Sequence, residues 1–216
     1  MEKSYKDYEG FSDVVAAEVT QDNNSGYIAD KWRQLEGGVS MNLEISETLT
    51  AYFRDNKAIG STYAEGADVA TVVMDILANK TRAWLEGRLY SEKTGALIKA
   101  PKKIKTYAFG CVGGFTDGSE EAIILYSTSV AAGSEDHQTK TDSTNSTTME
   151  YTFTAAYTKA TFPLTIDGKQ ENVSVKCYRV PLTDKLTKEM IFGEFTDGVS
   201  SLAVLTPDAI EALVTA

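Results

Sequence analysis

Apolar and polar positions alternate along most of this chain, and where they do so cleanly they predict strands. Val39-Ser40-Met41-Asn42-Leu43-Glu44-Ile45 is the plainest case, and its alternation predicts one buried and one wet face. Val14 to Thr20 reads as a first strand, closed by the turn-forming run Gln21 to Gly26. Leu49 to Arg54 is another, turning through Asp55-Asn56-Lys57 into Ala58 to Ala67, a polar stretch. Asp68 to Leu77 is rich in β-branched residues and reads as a strand covered on both faces. The pattern then changes. Asn79 is placed as an N-cap, Trp84 and Leu85 fall on the sheet-facing side of a short helix, and Gly87 stands where a left-handed C-cap is needed. Arg88 to Tyr90 resumes extended chain, so strand, helix and strand make one packed unit.

Further strands are predicted at Tyr107–Val112 and Ala122–Val130, joined through the Asp117-Gly118 turn, and at Met149–Ala155. A last hairpin pairs Thr161–Ile166 with Val173–Val180 around Asp167-Gly168. Short helices are expected at Lys185–Phe192, capped by Thr183 or Asp184, and at Pro207–Leu213. The expected fold is mainly β (α+β), a sandwich or barrel with a short flanking helix and extended loops or arms. Its main body is residues 1–160. Residues 161–216, a hairpin with short helices, extend that body or append to it.

Composition sharpens this only in places. The chain has 216 residues, 42% hydrophobic, enough for a substantial core. Its net charge of −10 argues against free nucleic acid as a ligand. Cys111 and Cys177 lie far apart in apolar surroundings and read as buried thiols. No cationic leader opens the chain and no apolar run reaches the roughly 20 residues of a bilayer span, so no membrane is expected and a soluble cytosolic chain is the default.

Candidate chemistry is sparse. His137, the only histidine, sits in the polar loop Ser134 to Gln138, and a solvated side chain explains it better than a metal. Gly110-Cys111-Val112-Gly113-Gly114 lacks the Lys-Ser/Thr ending of a phosphate loop, and its glycines read as a bulge or a close backbone approach. No enzyme, no cofactor and no metal are expected. Charge layout remains. Lys99, Lys102, Lys103 and Lys105 form a basic cluster. From Asp117 to Glu150 the chain carries seven carboxylates, Glu135, Asp136 and Asp142 among them, against Lys140 alone. Both regions read either as wet faces or as a basic surface of one copy meeting an acidic loop of the next. Such a heterologous contact builds rings or open stacks.

Several segments together resemble the major tail proteins, the tail tube subunits, of phages with long non-contractile tails. They are Leu49 to Lys57, the helix closed by Glu86-Gly87 with Thr94 to Ile98, Tyr107-Ala108-Phe109-Gly110, Asp117-Gly118, Gln138 to Asp142 and Met149 to Ala155. The resemblance spans about residues 8 to 156. It implies a structural virion protein of the tail, made in the host cytoplasm, with six copies per ring and rings stacked head to tail. It also implies other tail proteins at the tube ends and a lumen through which DNA passes without specific binding. An acidic wall suits that passage, and closing strands around a ring removes exposed edges. The segments 58–67 and 131–148 would then be arms ordered by neighbouring copies. The alternative is a non-catalytic β-sandwich binding module, an adhesin or carbohydrate-binding domain.

Overall fold

The computed structural model describes residues 7–54, 57–101, 104–135 and 148–215. Seven strands come first: β1 (Tyr8–Asn23), β2 (Gly26–Ala29), β3 (Lys31–Gln34), β4 (Gly38–Glu44), β5 (Glu47–Arg54), β6 (Lys57–Glu65) and β7 (Asp68–Asp75). Helix α1 (Asn79–Glu86) precedes β8 (Leu89–Ser91), β9 (Ala96–Ile98), β10 (Thr106–Phe115), β11 (Glu120–Glu135) and β12 (Thr148–Ala156). The last stretch holds β13 (Phe162–Ile166), β14 (Lys169–Val173), β15 (Cys177–Pro181), α2 (Lys188–Phe192), β16 (Phe195–Thr196), β17 (Val199–Ala203) and α3 (Pro207–Thr215). The fold is mainly β, as the alternation predicts.

One large sheet organises it, in the order β16-β17-β3-β1-β10-β11-β12-β7-β4, with β2 on β1 and β15 on β11. Every described pairing is antiparallel. The arc from β1 to β4 curls back on itself, because Leu35 N–H donates to Val14 O at 2.8 Å and Gly38 lies against Phe11 and Val14. The result is a nearly closed barrel. On the side away from β10, strand β11 serves two partners, pairing with β15 over Glu121–Leu125 and with β12 over Ser127–Glu135.

The strands covered on both faces are β1, β10 and β11. In them successive residues enter different cores, as the two-residue side-chain period requires. Val14, Ala16, Phe109, Cys111, Ile123 and Leu125 fill the barrel. Val15, Ala17, Ala108, Val112, Ile124 and Tyr126 enter a second core on the outer face, with Trp32, Phe162, Phe192 and Ile210. The C-terminal third therefore covers that outer face. Strand β7, expected to be covered on both sides, is not. Ala70, Val72 and Met74 are buried while Val69, Thr71 and Val73 are half-buried, because among the described residues no second layer lies over that part of the arc.

Local chemistry accounts for several further differences. Asn79 is the first helical residue rather than the cap, and its Nδ2 donates to Gly95 O at 3.1 Å. Gly87 does take the left-handed C-cap, with φ 65°. Thr183 Oγ1 accepts from Leu186 N–H in a turn, so α2 starts only after Thr187. The partner of β13 is Lys169–Val173, so of the expected Val173–Val180 only Val173 pairs with it, and Cys177–Val180 instead belongs to β15. The polar stretch from Ala58 is largely strand β6, since β5 pairs with it along its length, with one register shift between Tyr52 and Phe53. Gly110 is a close approach: a Cβ there would lie 2.7 Å from Phe192 Cε1. Both cysteines are free thiols. Trp32 Nε1–H has no hydrogen-bond acceptor, and its ring meets Phe192 edge-on at 5.4 Å.

Candidate assembly surface

Two features at one end of the arc leave apolar residues in solvent. Strand β4 pairs with β7 along one side and is the last strand of the sheet. Its Met41 and Leu43 pack on the barrel core and are half-buried, while Val39, at a break in the β4–β7 register, is 59% exposed and Ile45, just past the strand, 57%. The barrel is open here. A groove of about 410 Å³ runs along the seam, between Tyr8 to Phe11 on β1 and Met41, Leu43 and Ile45. Arg179 also lines it; its guanidinium lies 5.8 Å from the Tyr8 ring centre and bonds Glu121, which accepts from Tyr8 Oη as well.

Beyond Ile45 the chain leaves the barrel as a hairpin arm. Among the described residues strands β5 and β6 pair only with each other, from Glu47 opposite Glu65 to Arg54 opposite Lys57. Leu49 and Tyr63 face one another across the two strands and are 71% and 56% exposed. A two-stranded hairpin in water is marginally stable by itself, and an apolar cross-strand pair held in solvent is a surface with something to gain from a partner. The arm and the open strand are contiguous, since β4 runs into β5 through Ile45 and Ser46.

The charged residues singled out in the sequence are partly engaged within the chain. Lys105 Nζ donates to Glu18 Oε2 at 2.5 Å, because β10 pairs with β1 and sets Tyr107 opposite Glu18. Glu135 accepts from Arg82, which also lies 3.3 Å from Glu86 Oε1. Glu86 is buried and meets Arg88 Nε at 2.6 Å and Tyr151 Oη at 3.2 Å, so α1 is tied to the end of the barrel by charge as well as packing. Burial first, and then the Glu86 carboxylate, push the Tyr151 phenol well above its ordinary range. Lys99 is exposed just after β9. Lys102, Lys103, Asp136 and Asp142 lie outside the described residues, as does His137.

Sequence reasoning did not single out Val39, Ile45, Leu49 and Tyr63. The alternation of β4 signalled a buried face, but nothing local told that this face is only half covered. Among the described residues no group of three or more His, Cys, Asp or Glu is placed to hold a metal ion. No described helix is long and apolar enough to cross a membrane. No protein-family model matches the chain, and no curated protein matches it.

Proposed function

We propose that this chain is a self-assembling structural subunit of the tail-tube type, whose barrel seam and sheet edge are completed by a second copy. The carrying observation is the exposed apolar pair at the end of the sheet, Val39 on β4 and Ile45 just beyond it, on a strand that among the described residues pairs only with β7. An uncovered apolar edge invites non-specific pairing in a monomer, and neighbours that cap it in a closed ring remove the hazard. The arm extends this apolar surface outward and supplies a natural reach between rings. In this reading six copies form a ring, rings stack head to tail, and other tail proteins bound the two ends. The net charge of −10 keeps the conduit from holding DNA, which passes without specific contact. The reading requires no reaction centre, cofactor or membrane.

Negative-stain microscopy and sedimentation of the purified protein over a concentration series test this. Rings or tubes are the expected outcome. A chain that stays monomeric up to millimolar concentration, in low and in high salt, overturns it.

A further inference from the structure

The arm is joined to the barrel by a buried ion pair that neither packing nor the proposed assembly uses. Lys176 and Asp68 side chains are only 8% and 6% exposed, with Nζ 3.0 Å from Oδ1. Both sides of the arm's root meet there. Ser46 N–H, just before β5, donates to the same Asp68 oxygen at 3.2 Å. Gly66 O, just after β6, accepts from Lys176 Nζ at 3.0 Å, and Gly66 N–H closes the root by donating to Ser46 O at 2.8 Å. Tyr157 completes the cluster: its ring lies 5.0 Å from Lys176 Nζ, and its hydroxyl bonds Glu65 at the end of β6.

The other side of this cluster is rigid. Lys176 O accepts from Tyr126 N–H in the middle of β11. The neighbouring Val175 N–H donates to Thr158 Oγ1 at 3.0 Å, next to Tyr157. Asp68 opens β7 and pairs with Ala155 of β12. The ammonium thus bonds Asp68 of the body and Gly66 at one end of the hairpin, Asp68 in turn holds Ser46 at its other end, and the hairpin pairs with no other described strand. A buried ion pair adds little net stability over an apolar substitute, but it demands one geometry. We propose that Lys176 is a latch that sets the angle of the β5–β6 arm on the barrel, holding it outstretched before any partner arrives.

The latch rests on the assembly reading only for its consequence, a pre-ordered arm that docks without a folding cost. Its test is made on the unassembled full chain. Hydrogen exchange is followed by mass spectrometry in peptides covering Ser46 and Gly66, with Tyr107–Val112 and Ala122–Leu125 as the body reference. The variants are Lys176→Met and, so that no lone charge is buried, Asp68→Asn/Lys176→Met. Root amides exchanging on the order of tenfold faster, with the body unchanged, in either variant bears the latch out. Unchanged root exchange in both folded variants overturns it. So does acceleration of root and body together in both variants, because Lys176 would then be holding the core. A wild-type chain that never assembles would sink the tube reading and leave this result standing.

Discussion

Replacing Val39 and Ile45 together by lysine separates a monomer surface from an assembly surface. Full burial of a Val or Ile side chain contributes about 1.5–3 kcal/mol. In the free chain these two are 59% and 57% exposed, so more than half of that contribution is unrealised until something covers them. Covering both is worth roughly 2–3 kcal/mol per subunit, or a factor of about 30–150 in an association constant. Lysine keeps its aliphatic stem against the barrel and its ammonium in water, so the monomer should lose under about 1 kcal/mol per site. The double variant V39K/I45K should therefore unfold in denaturant close to wild type. Its assembly should shift to concentrations more than about tenfold higher, because two ammonium groups would have to leave water in the contact. Sedimentation velocity and urea titration read the two quantities separately. The reasoning is refuted if the variant assembles at the wild-type concentration. It is equally refuted if the monomer loses several kcal/mol, since the two residues would then belong to the core.

Three further outcomes are expected. Gly110→Ala places a methyl group 2.7 Å from Phe192 Cε1 and 3.0 Å from Val15 Cγ2, and should lower stability by about 1–3 kcal/mol in a denaturant titration. Burial pushes the Cys111 thiol up to about 12 and the Cys177 thiol up to about 11, from an ordinary value of 9.0. Both should thus be slow toward a thiol reagent at pH 8.5 in the native chain and fast in guanidinium. The unfolded thiols release their protons first, so this stabilisation is complete below about pH 9 and is lost as pH climbs through 11 and 12, visible as a falling unfolding midpoint. Lys105→Gln breaks a partly exposed pair with Glu18 and should cost no more than about 1 kcal/mol while leaving assembly unchanged. Loss of assembly in that variant would mean that the ammonium also meets another copy.

Much of this molecule was legible from local pattern. The strand at Tyr107–Val112 and its return through Asp117-Gly118, the Gly87 cap, the crowded Gly110 and the strand at Met149–Ala155 all follow from periodicity and from what glycine alone permits. The cap and the Asp117-Gly118 return are contacts within one turn or one hairpin, where neighbours in sequence decide the energy; at Gly110 the sequence marks the crowded position, while Phe192 and Val15, far off in the chain, supply the crowding. What only the tertiary structure decided is which strands lie between two layers. A run such as Asp68–Leu77 looks doubly covered by composition, but among the described residues its outer face meets no second layer, whereas β1, β10 and β11 have one supplied by residues 160 to 210. Strand β6 is polar enough to read as a loop and becomes a strand because β5 answers its backbone groups. The half-covered apolar face of β4 was hidden for the same reason. Alternation reports that one face is apolar, while how far that face is covered depends on where a strand dozens of residues away comes to rest.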